Sequence, residues 1–117
     1  MIKGIGLDIV ELSRIEHALN RSDRFAKKIL SERERSLFEQ LGAGRKIEFL
    51  AGRFAAKEAY AKANGTGLGE NCTLHQIEIL KEANGKPSLY FNGEPVSGFI
   101  SITHTKTVAA AQVILMT

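Results

Sequence analysis

Two carboxylates stand where the hydrophobic pattern favours apolar side chains, and acids in such places do cation-assisted chemistry if they face each other. Over residues 45–64, a 100° step per residue gathers Ile47, Leu50, Ala51, Phe54 and Ala61 into one stripe, with Glu58 at its centre. Over residues 1–10, alternation turns Ile5, Leu7 and Ile9 one way and Gly4, Gly6 and Asp8 the other. The glycines leave room beside Asp8 for a ligand or a second backbone. An unpaired buried carboxylate costs on the order of several kcal/mol, so each must pair, protonate or bind a cation. If the strand packs on the helix the two acids meet. Two hard oxygen donors with their remaining positions open to water and phosphate suit Mg²⁺. The alternative is a Glu58–Lys62 pair at i,i+4, worth about 0.3–0.5 kcal/mol on an exposed helix, with Asp8 held by an arginine.

Further candidates surround this pair. Lys57 and Lys62 flank the stripe on either side, and with Arg53 they either border a bound phosphate or are simply solvated. Gly65, Gly67 and Gly69 can cradle phosphate through backbone N–H groups, although they do not open a helix as phosphate loops usually do. Ser101-Ile102-Thr103-His104-Thr105 puts three hydroxyls and an imidazole at one strand end, where they serve phosphate oxygens or the local backbone. A hydrolase set is absent: there is no Gly-x-Ser-x-Gly elbow, and His17, His75 and His104 lack metal-ligand spacing.

The elements that must position these groups read in order as an opening strand and then helices. One helix begins at Leu12 and breaks near residues 20–22, and a second covers about Asp23 to Leu30. A third is announced by the capping-box pair Ser31 and Glu34, runs to about Leu41 and is closed by Gly42-Ala43-Gly44. The longest spans Arg45 to Asn64, with Gly65 as a left-handed cap. Ile77–Leu80 and Ser88–Phe91 form a hairpin about Asn84-Gly85, followed by strands Phe99–His104 and Val108–Leu115. This order predicts one α+β domain with a largely antiparallel sheet. Phe49, Ala56, Tyr60 and Ala63 make the long helix apolar on its other side too. It therefore packs against a second layer, in its own domain or in a neighbour.

Composition narrows the class. The chain has 117 residues, 44% hydrophobic and 25% charged, enough for one closed core. No apolar run reaches the roughly 20 residues of a membrane span, and Asp8 and Glu11 interrupt any signal-like stretch, so a cytoplasmic protein is expected. The lone Cys72 has no partner for a disulfide or a thiolate metal site and is expected reduced and without a role. Net charge is +3, and residues 1–65 hold 13 of the 16 Lys and Arg, a bias that attracts acidic partners. Nucleic acid is disfavoured among them, because the eight aromatics include no tryptophan and form no stacking array on strands. A purely structural oligomer accounts for the two-faced helix but not for the two acids.

Gly6-Leu7-Asp8, Arg53-Phe54-Ala55-Ala56-Lys57-Glu58-Ala59 and Ser101-Ile102-Thr103-His104, in this order, resemble the holo-acyl-carrier-protein synthases, the short bacterial phosphopantetheinyl transferases. Phe54 stands where much of the wider superfamily has tryptophan. The resemblance covers essentially the whole chain and implies half of the pseudo-symmetric fold of longer transferases. It implies transfer of 4′-phosphopantetheine from coenzyme A to a serine of apo-acyl carrier protein, in support of fatty acid biosynthesis, with release of adenosine 3′,5′-bisphosphate. Asp8 and Glu58 become ligands of Mg²⁺ (or Mn²⁺), Glu58 the candidate acceptor of the serine proton, and Lys62 the stabiliser of the leaving phosphate. Arg45, Arg53, Lys57, Gly65, Gly67, His104 and Thr105 become coenzyme contacts, and Pro87 a wall for the adenine. A homotrimer with coenzyme A between neighbouring subunits is implied as well. Carrier proteins like the family's substrate present an acidic helix, which makes the basic stripe Arg14, Arg21 and Lys28, with Arg24 and His17 nearby, the expected docking surface.

Overall fold

A computed structural model describes residues 1–117. The chain runs β1 (Ile2–Glu11), α1 (Leu12–Arg21), α2 (Arg24–Ile29), α3 (Glu32–Glu39), α4 (Ala43–Asn64), a 3-10 turn (Leu74–Gln76), β2 (Ile77–Lys81), β3 (Pro87–Phe91), β4 (Glu94–Pro95), β5 (Gly98–His104) and β6 (Val108–Met116). All strand pairings are antiparallel, as expected, but the strands form two sheets of three, ordered β1-β6-β5 and β2-β3-β4.

Local chemistry accounts for most of the boundaries. The Ser31–Glu34 capping box forms in both directions and starts α3. Gly65 ends α4 in the left-handed region at φ 84°. Two expectations change. Gly42-Ala43-Gly44 opens α4 rather than merely closing α3, with Gly42 as its N-cap. The β2–β3 connection is a five-residue loop, 82–86, in which Gly85 alone has positive φ and Asn84 Oδ1 accepts from the Lys86 amide. The tight two-residue turn lies one connection later, at Asn92-Gly93 between β3 and β4, where both residues have positive φ (52° and 81°).

Helix α4 is the centre of the molecule. Leu50, Ala51, Ala55, Ala56, Ala59 and Ala61 are all fully buried, and the short alanines let two layers approach the helix closely. One side lies on β1-β6-β5; on another, Tyr60 stacks on Phe91 of β3, with ring centroids 5.6 Å apart. The two-sided apolar character of α4 is thus met within the chain. Contact with β1 is closest of all: a Cβ on Gly4 or Gly6 would collide with the carbonyl oxygens of Ala63 and Ala59. The glycines make room for a helix backbone, and that brings Asp8 to α4. The opposite face of the same sheet stays uncovered, with Ile5, Leu7, Ile9 and Phe99 each more than half exposed.

Candidate active site

Because Gly4, Gly6 and Asp8 share one face of β1, the backbone contact at the glycines places the Asp8 carboxylate against the C-terminal half of α4. There the Lys62 ammonium donates to Asp8 Oδ1 at 3.0 Å and to the Leu7 carbonyl at 3.1 Å. Glu58, one turn earlier, has no ion-pair partner, so neither half of the bland alternative forms: Lys62 pairs with Asp8, and no arginine does. Burial first, and then the Asp8 charge, push the Glu58 carboxyl above its ordinary range, while Lys62 pulls the other way. Glu58 lies at the partly exposed edge of the stripe, not at its buried centre as the helical wheel suggests.

Asp8 and Glu58 therefore feel each other's charge with no third acid, His or Cys gathered beside them. A pair of hard oxygen donors at a partly open edge fits a Mg²⁺ ion that keeps water and accepts phosphate oxygens; it does not fit a fully caged metal.

A second cluster lies on the opposite flank of α4, nine residues or two and a half turns from Lys62. A cleft of about 290 Å³ is lined by Arg45, Glu48, Phe49, Arg53, Lys81, Pro87 and His104, among others. Arg53 is 6% exposed, its guanidinium lies 4.1 Å from the Phe49 ring centroid, and its Nε and one terminal nitrogen are buried without acceptors. Donors left this way are free for an acceptor that the cleft itself does not supply, water or an anion. His104 Nε2 sits 3.5 Å from Glu48 Oε2. Sequence reasoning named Arg45, Arg53, Pro87 and His104 but missed Glu48, Phe49 and Lys81. Phe49 was assigned to packing, and an acid at position 48 is unremarkable on a helix.

The remaining expected coenzyme contacts are elsewhere. Lys57 is fully buried, and its ammonium donates to Glu34 Oε1 (2.6 Å), the Ile29 carbonyl (2.7 Å) and the Leu74 carbonyl (2.9 Å). All three protons are satisfied, which corrects its reading as a phosphate contact. The amides of Gly65, Gly67 and Gly69 donate to the carbonyls of Lys62, Ala61 and Cys72, so none of these three glycine amides is free to cradle a phosphate. These glycines terminate a helix and turn the chain. The Thr105 hydroxyl accepts from the amides of Thr107 and Val108 and shapes the β5–β6 turn outside the cleft. Arg14, His17, Arg21, Arg24 and Lys28 are all exposed and free of ion pairs, with the break at residues 22–23 dividing them between α1 and α2.

Residues 4–115 match the family model described as the 4′-phosphopantetheinyl transferase superfamily. A holo-[acyl-carrier-protein] synthase of Geobacillus sp. (strain WCH70) is 53% identical over 98% of this chain and 97% of its own. The chain belongs to the holo-[acyl-carrier-protein] synthase family of 4′-phosphopantetheinyl transferases. Other members of the family agree in structure. The synthase of Bacillus anthracis, solved in complex with CoA (3′,5′-ADP), superposes with a TM-score of 0.87 at 47% identity, covering 98% of this chain and 96% of its own. That of Neisseria meningitidis superposes over the full length of both chains with a TM-score of 0.89 at 35% identity.

Proposed function

We propose that this protein transfers the 4′-phosphopantetheine arm of coenzyme A to a serine hydroxyl of an apo-acyl carrier protein, releasing adenosine 3′,5′-bisphosphate. The observation that carries the reading is the meeting of Asp8, Glu58 and Lys62 at the β1–α4 contact in a chain of this family. The serine oxygen bonds to the β-phosphorus as the bond from that phosphorus to the bridging oxygen breaks. Glu58, which has no ion-pair partner of its own, is the group that takes the serine proton. Lys62 neutralises charge on the departing phosphate. Mg²⁺ (or Mn²⁺) held by Asp8 and Glu58 would supply charge neutralisation across the pyrophosphate. Arg53, Arg45 and His104 bind the nucleotide phosphates, Arg53 through donors that otherwise have no partner, and Pro87 borders the adenine.

The two clusters occupy opposite flanks of one helix, which supports a site completed by a neighbouring subunit, with the coenzyme between copies. The uncovered apolar face at Ile5, Leu7, Ile9 and Phe99 supports a homotrimer assembled through the β1-β6-β5 sheet. The unpaired cations of α1 and α2 offer a docking surface for an acidic carrier helix. A cytoplasmic setting in fatty acid biosynthesis fits this role: no helix is long and apolar enough to cross a membrane, and Cys72 is buried and unpaired. Mass spectrometry of apo-acyl carrier protein incubated with this protein, coenzyme A and Mg²⁺ should show the gain of one phosphopantetheine. An unchanged carrier mass under those conditions overturns the reading.

A further inference from the structure

Lys62 presents an unusual partnership for a group that must serve a phosphate. Its ammonium makes two bonds, both to β1: to Asp8 Oδ1 at 3.0 Å and to the Leu7 carbonyl at 3.1 Å. The Lys62 side chain is 53% exposed, whereas Asp8 is only 18% exposed. The cation is free to leave and the carboxylate is not. The carboxylate that Lys62 holds is also one that a divalent ion needs, and an ammonium and a metal ion on the same carboxylate repel each other.

We propose that Lys62 couples cation and coenzyme binding: it stands in for the divalent ion on Asp8 in the free protein and moves to the pyrophosphate when ion and coenzyme arrive together. This rests on the reading of Asp8 and Glu58 as metal ligands. A divalent ion alone must displace the ammonium from Asp8, its one charged acceptor, and offers it nothing in exchange. The pyrophosphate gives the displaced ammonium new acceptors. The free protein therefore binds the ion weakly, the coenzyme strengthens that binding, and by linkage the ion strengthens coenzyme binding by the same factor.

The test is Mn²⁺ binding, followed by the electron paramagnetic resonance signal of free Mn²⁺. It uses the wild-type protein, Lys62→Met, Lys62→Arg and Asp8→Asn, with and without coenzyme A, against coenzyme-only blanks, with folding checked by circular dichroism. Without coenzyme, Lys62→Met should bind Mn²⁺ about tenfold more tightly than wild type, since it loses both the competing ion pair and the repulsion. The strengthening by coenzyme A should shrink correspondingly, while Lys62→Arg, which keeps the cation, should stay near wild type. Equal or weaker Mn²⁺ binding by Lys62→Met, with binding still dependent on Asp8, overturns the coupling role and leaves the metal site standing. Mn²⁺ binding undiminished in Asp8→Asn, or absent from every protein even with coenzyme A, overturns the metal site and the coupling together.

Discussion

Lys57 and Lys62 lie five residues apart on one helix, each paired with a carboxylate from another element, yet the two pairs do opposite work. The Lys57–Glu34 pair is fully buried and saturated: the ammonium has three acceptors, and Glu34 also accepts from the amides of Ser31 and Ile79. It ties α4 to α3, to β2, to the end of α2 and to the 3-10 turn. The Lys62–Asp8 pair is partly open and unsaturated, beside an acid with no counterion. A saturated buried pair resists change, because breaking it strands a charge. An unsaturated pair at an edge can exchange partners, which is the freedom the proposed role of Lys62 requires. Charge on a helix is thus read by its remaining hydrogen-bonding capacity, not by its type.

The contrast breaks most sharply at Lys57. Lys57→Met should lower stability by about 3–5 kcal/mol, measured by urea unfolding, because Glu34 and two carbonyls lose their donor in the core. Lys62→Met should leave the urea midpoint nearly unchanged and reduce the transfer rate by about a hundredfold. If both variants lose stability equally, the distinction between the pairs fails. Gly6→Ala should cost about 1–3 kcal/mol and lower transfer with it, since a methyl at that position forces β1 off α4 and separates Asp8 from Glu58. Unfolding curves and initial rates on the same preparation check both effects.

Two smaller effects sharpen the same comparison. The Glu58 carboxyl binds its proton more tightly folded than unfolded, so between the ordinary carboxylate range and its raised value the native state holds more proton. Wild-type stability should therefore fall slightly as pH rises through that window. Glu58→Gln should remove the decline, and thermal melts of the two proteins at a series of pH values will show whether they diverge. Charge reversal at Arg14 and Arg21 should raise the Michaelis constant for the carrier several-fold with little change for coenzyme A, in steady-state kinetics at low salt.

Much of this was legible in the sequence, because short-range rules carry it. The alternation of β1 placed Asp8 with two glycines on one face, and the capping box and Gly65 bounded two helices. What escaped depends on long-range partners. Helical periodicity placed Lys57 beside the stripe, but only the fold brings in Glu34 from 23 positions away, after that residue had already been explained as a cap. The three glycines looked like a phosphate cradle because their sequence carries no record of which carbonyls occupy their amides. The Asn84-Gly85 pair matched the hairpin rule, while Asn92-Gly93, before a strand of only two residues, satisfied it. Arg53 was readable as a basic residue, but its orphaned donors and its aromatic support on Phe49 are properties of the packed helix.

The central claim is that Asp8 and Glu58 act on the substrate and do not hold up the fold. Single-turnover transfer to apo-acyl carrier protein, followed by mass spectrometry and normalised to the folded fraction from urea unfolding, tests it in Asp8→Asn and Glu58→Gln. The account predicts transfer reduced by at least about a hundredfold in each, with the midpoint unchanged or raised for Glu58→Gln. Transfer within a few-fold of wild type in either variant, or a loss accounted for by unfolding, would contradict it.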